Sequence, residues 1–480
     1  MKKQNQEGLT VKKEENFSEW FTQLIIKTEL ADYSSVSGCI ILRPRAYQVW
    51  EKVKEACDKE FKKIKIQNAY FPLFIPEKAF EKEKEHVKGF APEVAWVTHT
   101  GNTKLKEKLA IRPTSEAIMY ESYAKWIRSW RDLPLLLNQW NNVVRWEFNN
   151  PVPFFRTREF LWNEMHTAFA TEKEALAHGN KVIQKYNKVT EELMALPGIY
   201  GRKTEKEKFA GAIFTEKVHH YLPNGRIIEG TCFHYDGQNF AKAYGIKFLD
   251  KNEKENFVFQ NTHAISTRML GTMFAIHSDN KGLVIPPRIA ENKIVIIPLL
   301  FKGKEKKVLE KAKEISKKLS KFSPILDERE EYSPGWKFSE WELKGIPIRI
   351  EIGPRDLEKA SVIIVKRNTF EKVSIKIKDL QKQIPKILEE IQKQLYEKAE
   401  TELKNSIKKT EDKKELIKLI KDKKMVKVPL CGMEKCEDNL KADTEGAKVL
   451  FIDSKESSKN KKCIICRKPA EHIVYVGKSY

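Results

Sequence analysis

The segment at 145–166, RWEFNNPVPFFRTREFLWNEMH, constrains the fold of this chain more than any other. Asparagine and proline residues interrupt two runs of β-forming residues, which predicts strands at 143–148 and 159–170 joined by a long polar turn. Side chains alternate between the faces of a strand, so one face of this hairpin would be rich in reactive groups. These groups are Arg145 and Glu147 on the first strand and Phe160, Trp162, Glu164 and His166 on the second.

The residue types on that face suit two roles. Arg145 and Arg156 could each form paired hydrogen bonds to a phosphate or carboxylate, and Glu147 could accept one from an amino group. The aromatic side chains could wall an apolar pocket. Taken alone, however, the hairpin is more typical of a structural sheet with cross-strand Arg/Glu pairs. The rest of the chain must decide between these roles.

Two further motifs lie where a loop or strand leads into a helix. The sequence RPTSE at 112–116 precedes a helix predicted from Ser115, and it fits a capped helix N-terminus as well as a substrate loop. At 266–268, Ser-Thr-Arg stands where a strand is predicted to end and a helix to begin. An arginine at a helix start opposes the helix dipole but is well placed to meet a bound anion. We therefore expect an anion site near Arg268.

The charge of the chain makes an acidic partner plausible. Its net charge is +22, and nucleic acid is the first candidate for a partner of such a protein. Much of the lysine alternates with glutamate, as at 303–321, and such segments are more often solvated helix faces than binding sites. The sequence has no signal-peptide pattern and no run of about 18 apolar residues. We expect a cytoplasmic protein without membrane contact.

The order of predicted elements divides the chain into three parts. A helix is predicted at 44–64 and a strand at 66–76, where Pro72 indicates an edge, a bulge or a subunit boundary. After two prolines at 286–287, strands and helices alternate, with a closing helix at 384–396, which predicts a small α/β domain. The predicted boundaries are 1–285, 286–400 and 401–480.

Four cysteines near the end of the chain form two pairs of short spacing. Such pairs can converge as four thiolates around a tetrahedral zinc ion, and a structural role is favoured because all four positions are filled. The alternative is a set of incidental free cysteines. The predicted ligands are Cys431, Cys436, Cys463 and Cys466.

Taken in order, five motifs resemble those of prolyl-tRNA synthetases, of the archaeal and eukaryotic-cytoplasmic type. They lie at 89–96, 112–116, 145–166, 237–240 and 266–268, and the resemblance covers essentially the whole chain. It implies an α+β multidomain protein with a class II synthetase catalytic domain built on an antiparallel sheet. An α/β anticodon-binding domain and a small cysteine-rich, zinc-binding-like domain would follow. The helix from Pro44 and the strand reaching Pro72 would form a homodimer interface.

The resemblance implies a two-step reaction with three substrates. L-proline and ATP, accompanied by Mg²⁺, would give prolyl-adenylate and pyrophosphate, and the prolyl group would then pass to tRNA(Pro). Arg145 would hold the substrate carboxylate against the α-phosphate, while Arg156 and Arg268 would bind the outer phosphates. The other residues implied for ATP are Glu147, Thr157, Phe160, Glu229, Cys232 and Ser266. Those implied for proline, besides Arg145, are Phe90, Thr114, Glu116, Trp162, His166 and His234.

Two positions in the implied ATP site depart from the family pattern. Cys232 stands where a nucleotide-contacting threonine is expected, and a thiol is a weaker hydrogen-bonding group than a hydroxyl. Glu229 stands where glutamine is more common, and its anionic oxygen could bind magnesium directly. Outside the site, Tyr480 would fold back towards the catalytic centre. The residues implied for anticodon reading are Glu340, Arg349, Glu351, Arg355, Lys366 and Arg367.

The interval between His166 and Ser266 is too short for the editing insertion that bacterial-type relatives carry there. We therefore expect no hydrolytic editing site. Two other functions remain open at this point. One is a class II synthetase for another small amino acid, and the other is a catalytically silent paralogue that binds tRNA. The three arginines argue against the silent paralogue, because a pure binding module does not need three groups that bind phosphate.

Overall fold

The computed structural model describes residues 8–79, 93–147 and 150–480. The helices of its first part are α1 (Phe17–Lys27), α2 (Pro44–Lys62), α3 (Glu116–Trp126), α4 (Glu172–Glu192), α5 (Asn239–Tyr244) and α6 (Arg268–His277). The strands up to the hairpin are β1 (Ala31–Tyr33), β2 (Ile40–Leu42), β3 (Gln67–Asn68), β4 (Phe74–Pro76), β5 (Trp96–Thr100), β6 (Thr103–Ile111), β7 (Leu135–Val144) and β8 (Glu159–Phe169). The strands after it are β9 (Ile199–Arg202), β10 (Phe214–Tyr221), β11 (Ile227–Gly237), β12 (Lys247–Leu249), β13 (Glu255–Phe257) and β14 (Phe259–Ser266).

The predicted hairpin exists, but its first strand lies earlier than predicted. The strand β7 ends at Val144, which pairs with Glu159 of β8, so Arg145 and Glu147 lie just beyond the strand rather than within it. The sequence of β7, LLLNQWNNVV, contains three asparagines, a residue that is depleted in strands. Asn138 is tolerated although it is buried, because it accepts a hydrogen bond of 2.6 Å from Asn163 of β8.

The strand predicted at 66–76 is also different in the structure. It is divided into β3, which pairs with β7, and β4, which belongs to a separate small sheet with β6 and β5. Pro72 lies in the break between the two strands, where no ladder hydrogen bond is required of it.

Helices cover one face of the large sheet. Aromatic side chains join α1, α2 and α4 to the sheet, and Trp20, Phe61, Tyr186 and Phe233 are at most 1% exposed. Burial of each such side chain is worth roughly 1.5–3 kcal/mol relative to exposure, so this layer fixes the back of the sheet and leaves the other face for the site.

The second part is an α/β unit with a mixed five-stranded sheet in the order β16-β15-β17-β18-β19. The strand β15 runs parallel to β16 and β17, and the remaining pairs are antiparallel. The closing helix is much longer than predicted and crosses residue 400. The elements are β15 (Ile294–Pro298), α7 (Glu305–Lys318), β16 (Ile325–Leu326), α8 (Pro334–Lys344), β17 (Ile348–Ile352), α9 (Pro354–Glu358), β18 (Ser361–Lys366), β19 (Lys372–Lys376) and α10 (Leu380–Ser406).

The third part, here called the C-terminal unit, joins the sheet of the first part. Its elements are β20 (Ile407–Lys409), α11 (Lys413–Lys421), β21 (Met425–Leu430), α12 (Glu434–Asp443), β22 (Lys448–Ile452) and β23 (His472–Gly477). Among the described residues, its four strands and seven strands of the first part form one sheet in the order β20-β21-β23-β22-β9-β10-β11-β14-β8-β7-β3. Ile452 of β22 pairs with Arg202 of β9, and this is the junction between the two halves. Within the described ranges, no helix has both the length and the apolarity needed to cross a bilayer.

Candidate active site

A cavity of about 540 Å³ opens on the exposed face of the large sheet. Strands β8, β10, β11 and β14 form its floor, and the residues just before α3 and at the start of α6 form part of its wall. The predicted site residues that line it are Thr114, Glu116, Arg145, Glu147, Phe160, Trp162, Glu229, Cys232, His234, Ser266 and Arg268. Residues far apart in sequence therefore meet in one site.

The remaining predicted residues lie beside or beneath this cavity. Thr157 lines a small adjoining cavity together with Phe160, Ser266 and Arg268. Arg156 is exposed, and its charge is one of those acting on Arg268. His166 is fully buried below the floor. Phe90 and the other residues at 89–92, the first half of the motif at 89–96, lie outside the described residues.

Backbone carbonyls hold two of the three predicted arginines. Arg145 donates from Nε to the carbonyl of Pro113 at 3.0 Å, and its guanidinium lies over the rings of Phe160 and Trp162, 5.6 and 5.2 Å from their centroids. Arg268 donates from Nε to the carbonyl of Phe155 at 3.1 Å. Among the described residues neither guanidinium forms a salt bridge, so both keep their charge for an anionic ligand.

One end of the cavity is built around Glu164, which the sequence placed on the hairpin face but not among the residues for proline. Its carboxylate accepts hydrogen bonds from the Ser115 backbone N–H at 2.9 Å, from Asn141 at 2.6 Å and from the Ser115 hydroxyl. Burial disfavours its ionised form, but these donors and His166 outweigh burial and hold the pKa of Glu164 at about 2. Ser115 therefore supports a buried anion, and its side chain does not cap α3.

Other acidic groups surround that anion. The Thr114 hydroxyl donates to Glu116 and also lies 3.3 Å from Glu164. Burial raises the pKa of Glu116. Burial also opposes the charged form of His166, but its hydrogen bond to Glu164 and the neighbouring carboxylates raise the pKa of His166 overall. This end of the cavity is thus suited to a cationic group such as a protonated amine.

Asp236 lies below the same end of the cavity and was not predicted. Its Oδ2 accepts a 2.6 Å hydrogen bond from Thr262, which lines the cavity, while its Oδ1 is buried without a partner among the described residues. Burial raises the pKa of Asp236 to about 8, so the carboxyl group is mainly protonated at neutral pH. No periodic pattern predicts this residue, because a single aspartate in a strand is usually exposed.

Glu229 does not fit the predicted role of a magnesium ligand. Its two carboxylate oxygens are each 2.7 Å from an ammonium group, Lys203 on one side and Lys217 on the other. Burial opposes ionisation, but the two lysines hold the pKa of Glu229 well below its ordinary value. The two ammonium groups would repel a metal ion that approached either oxygen. Neither lysine was predicted, because lysine is too frequent in this chain to be a signal.

Cys232 and His234 lie on the cavity side of β11 and are both uncharged at neutral pH. Burial raises the pKa of the Cys232 thiol, whose contact with the carbonyl of Ala264 is long, at 3.9 Å. Burial lowers the pKa of His234 to about 3, and its Nδ1 shares a 2.8 Å hydrogen bond with Thr215. Cys232 is therefore a weak partner for a ligand, while His234 offers a neutral imidazole.

The four predicted zinc ligands come together in the C-terminal unit. The sulfur atoms of Cys431, Cys436, Cys463 and Cys466 all lie within 4.8 Å of one another, and those of Cys431 and Cys466 are 3.6 Å apart. Four thiolates around zinc at about 2.3 Å stand roughly 3.8 Å from each other, so this arrangement fits a tetrahedral site.

Most residues implied for anticodon reading already have charged partners within the chain. Arg349 pairs with Glu342 and Glu351, and Lys366 pairs with Glu371 and Glu390. Glu340 pairs with Arg329 and Lys344. Arg367 donates two hydrogen bonds of 2.8 Å to Asp279, next to the end of α6, and is 4% exposed. Arg367 therefore joins the α/β unit to the first part, whereas Arg355 is exposed.

Tyr480 packs against Phe155, the residue whose backbone carbonyl holds Arg268. Its ring stacks on Phe155 with centroids 4.8 Å apart, and its hydroxyl accepts a 3.1 Å hydrogen bond from Asn224. The carbonyl of Phe155 is the acceptor for Arg268. The predicted return of Tyr480 towards the site is thus a contact behind the wall and not within the cavity.

Three family models match separate parts of the chain. Residues 96–277 match the tRNA synthetase class II core domain (G, H, P, S and T), and residues 293–387 match an anticodon binding domain. Residues 413–480 match the C-terminal domain of prolyl-tRNA synthetase.

Similar proteins extend over the full chain. A cytoplasmic proline–tRNA ligase of Arabidopsis thaliana is 44% identical over 490 residues, covering 100% of this chain and 92% of the relative. Proline–tRNA ligase 2 of Bacillus thuringiensis is 42% identical, with both chains fully covered. A bifunctional glutamate/proline–tRNA ligase of Mus musculus is 43% identical, and the chain spans 33% of its length. The crystal structure of Cryptosporidium parvum prolyl-tRNA synthetase with halofuginone and AMPPNP has a TM-score of 0.94 and 42% identity, covering 99% of this chain and 100% of that one.

Proposed function

The chain belongs to the prolyl-tRNA synthetase family of class II aminoacyl-tRNA synthetases, and from this premise we propose that it activates L-proline with ATP and transfers the prolyl group to tRNA(Pro). The observation that carries the proposal is one cavity with an acidic end for an amine, together with Arg145 and Arg268, which form no salt bridge among the described residues and can bind phosphate. A cytoplasmic location is part of the proposal, supported by the Arabidopsis relative.

In the first step, a carboxylate oxygen of proline attacks the α-phosphorus of ATP and the bond to the β-phosphate oxygen breaks, releasing pyrophosphate. This step requires positioning and charge stabilisation and no covalent enzyme intermediate. Arg145 lies between the Pro113 carbonyl and the two aromatic rings, so its orientation is set before the substrates bind. It would hold the attacking carboxylate against the α-phosphate, and Arg156 and Arg268 would bind the outer phosphates. ATP would enter with Mg²⁺, held by its own phosphates.

The secondary amine of proline would lie at the acidic end of the cavity. Its protonated nitrogen has two N–H donors, and Thr114 with Glu116 supplies the acceptors. Glu164 would add charge from behind them, and His166 would keep Glu164 oriented. Trp162 would cover the ring of proline. The uncharged His234 would border the pocket opposite it.

In the second step, the terminal ribose hydroxyl of tRNA(Pro) attacks the activated carbonyl carbon and AMP leaves. The α/β unit would bind the anticodon, which the family match at 293–387 supports. Exposed Arg355 remains the best of the six proposed readers, because an unpaired base needs an accessible donor. A zinc ion bound by the four cysteines would hold the loops of the C-terminal unit together.

A homodimer is part of the proposal. Large apolar side chains are exposed around β3, β4 and α3, including Tyr70 at 72%, Phe74 at 46% and Trp126 at 52%. Grouped exposed apolar residues mark interaction surfaces. This is the region that the sequence indicated as a subunit boundary through Pro72.

Amino-acid-dependent ATP–pyrophosphate exchange by the purified chain tests this function. We expect proline to support exchange far better than other amino acids. Exchange with a different small amino acid would favour a synthetase of that specificity, and no exchange with any amino acid would favour a silent tRNA-binding paralogue.

The pocket should not reject smaller amino acids strongly, because each missing methylene costs only about 1–3 kcal/mol. We therefore expect measurable activation of alanine. The described residues between β8 and β14 form the helices α4 and α5, the strands β9, β10 and β11 of the large sheet, and the separate two-stranded sheet of β12 and β13. We propose that the chain has no hydrolytic editing site of its own. Purified Ala-tRNA(Pro) should keep its alanine in the presence of the protein. Rapid deacylation would contradict the predicted absence of editing.

A further inference from the structure

One row of cross-strand neighbours crosses the floor of the cavity. Lys217 of β10 pairs with Cys232 of β11, Cys232 pairs with Ala264 of β14, and Ala264 pairs with Glu164 of β8. All four residues line the cavity. Glu164 marks the amine end of the row, whereas Ala264 has no polar side chain and Cys232 is a weak donor. Lys217 is therefore the strong donor at the other end of the row.

Lys217 is held in place but remains accessible. Its ammonium is 2.7 Å from Glu229, and its side chain is 23% exposed. An ammonium has three N–H donors, so one hydrogen bond to Glu229 leaves two for a ligand. Arg268 also lies near this residue, with its Nη1 3.5 Å from the backbone carbonyl of Glu229. Two cations, Lys217 and Arg268, therefore lie next to Glu229, one at its carboxylate and one at its backbone carbonyl.

A buried lysine, Lys203, fixes the carboxylate of Glu229 in place. The side chain of Lys203 is 1% exposed, and its ammonium donates to Glu229 at 2.7 Å and to the carbonyl of Leu450 at 2.9 Å. Leu450 lies in β22 of the C-terminal unit. A continuous chain of contacts thus leads from the backbone of the C-terminal unit to the cavity. Since Lys203 lies away from the cavity, the three charged groups present their net positive charge through Lys217.

We propose that Lys217 binds the triphosphate of ATP and that Glu229, Lys203 and the Leu450 carbonyl hold it in position. This rests on the proposed function, which supplies ATP as the substrate. Lysine binds phosphate as a compact point charge, and a triphosphate needs more than one cation. In this view Glu229 is a positioning residue. The C-terminal unit takes part in ATP binding without touching the nucleotide.

The test is the Lys217→Met variant of the full chain, with KM measured separately for ATP and for proline in the exchange assay. Loss of one charged hydrogen bond should raise KM for ATP about tenfold. KM for proline should stay unchanged, and Lys217→Arg should recover most of the loss. An unchanged KM for ATP in Lys217→Met would overturn the proposal. A parallel rise in both KM values together with a lower Tm would also overturn it, because it would mean a structural role.

The positioning role of Lys203 is tested by a double-mutant cycle. Lys203→Met should raise KM for ATP, and adding it to Lys217→Met should raise KM little further, because both changes remove the same contact. Fully additive effects would refute the chain of contacts. If Lys203→Met does not fold, Glu229→Gln replaces it in the cycle, since it keeps the shape and removes the pairing charge.

Lys206→Met is a matched control. Lys206 belongs to the same segment and pairs with Asp438 of the C-terminal unit, but it does not line the cavity. Lys206→Met should leave both KM values unchanged.

Direct titration of the wild type and Lys217→Met with ATP separates this proposal from the proposed function. Weaker ATP binding in Lys217→Met supports the role of Lys217 even if proline gives no exchange, and equal ATP binding overturns it.

Discussion

At the residue scale, Arg145 shows how few contacts are needed to prepare a charged group for catalysis. One hydrogen bond to a backbone carbonyl and two aromatic faces orient its guanidinium without neutralising it. Arginine stacks on aromatic rings and binds planar anions in a forked geometry, so no other side chain can replace it fully.

We predict that Arg145→Ala lowers kcat/KM for proline-dependent exchange by about three orders of magnitude, as expected for a group that stabilises charge in the transition state. Binding of tRNA, measured by filter retention, should change little, because Arg145 lies inside the cavity. Arg226→Ala is a suitable control, since Arg226 is an exposed arginine that does not line the cavity. Loss of tRNA binding together with exchange would mean that Arg145 is mainly structural.

Asp236 gives the chain a stability that depends on pH. Its pKa is raised to about 8 in the folded protein, against about 3.9 in an unfolded chain. The folded state therefore holds a proton that the unfolded state releases, so this contribution to stability is full below about pH 4 and is lost as the pH rises through 8.

We predict that Asp236→Asn removes this dependence. The variant should gain in Tm over the wild type as the pH is raised from 6 to about 8.5, because the amide has no proton to lose. Thermal unfolding across this range checks it, with Asp438→Asn as the control because Asp438 is an exposed carboxylate. An equal difference in Tm at every pH would show that Asp236 is ionised in the folded protein.

Several site residues were predictable from the sequence, and others were not. Thr114, Glu116 and Arg268 follow local patterns at helix starts, and the alternation of β8 places Trp162 and Glu164 on one face. Lys203, Lys217 and Asp236 have no such pattern. Their roles depend on contacts between segments that the sequence alone does not align, and a one-residue change of strand register would turn Lys217 and Asp236 to the other face.

At the scale of elements, the hairpin illustrates the same limit. The strand β8 is close to its predicted range, whereas most of β7 was not predicted, because its buried Asn138 is paired by side-chain hydrogen bonds with Asn163 of β8 and Asn68 of β3. Asparagine is intrinsically disfavoured in strands, and here tertiary contacts outweigh that preference. The helix α2 agrees with its predicted range to within two residues, and α3 and α6 begin where their starts were predicted.

We propose that a zinc ion holds together the segments that carry the four clustered cysteines. We predict that Cys463→Ser abolishes stoichiometric zinc, measured by plasma mass spectrometry, and lowers Tm, because structural zinc sites contribute about 10–16 kcal/mol of binding free energy in small zinc domains. Cys39→Ser is the matched control, since Cys39 lies outside the cluster. Wild-type protein without zinc and with an unchanged Tm after chelation would contradict the prediction.

At the scale of the whole molecule, the exposed surface around β3, β4 and α3 predicts the assembly state. We expect Tyr70→Glu to convert a dimer into a monomer in sedimentation experiments, because it buries a charge in an apolar interface. Phe301→Glu, at a site that is 60% exposed in the α/β unit, should leave the dimer intact. A monomeric wild type would refute the homodimer.

The extension of the catalytic sheet by the C-terminal unit also has a consequence for how the chain is made. Ile452 and Arg202, which join the two halves of the sheet, are 250 residues apart in the sequence. At roughly 5–20 residues per second, β22 leaves the ribosome at least about ten seconds after β9. During that time β9 is an open edge strand, the kind of surface on which chains aggregate.

The edge strand β9 carries Tyr200 and Arg202 on either side of Gly201, and Arg202 pairs with Glu216 of β10. Charge at the edge would protect the nascent sheet until its last strands arrive.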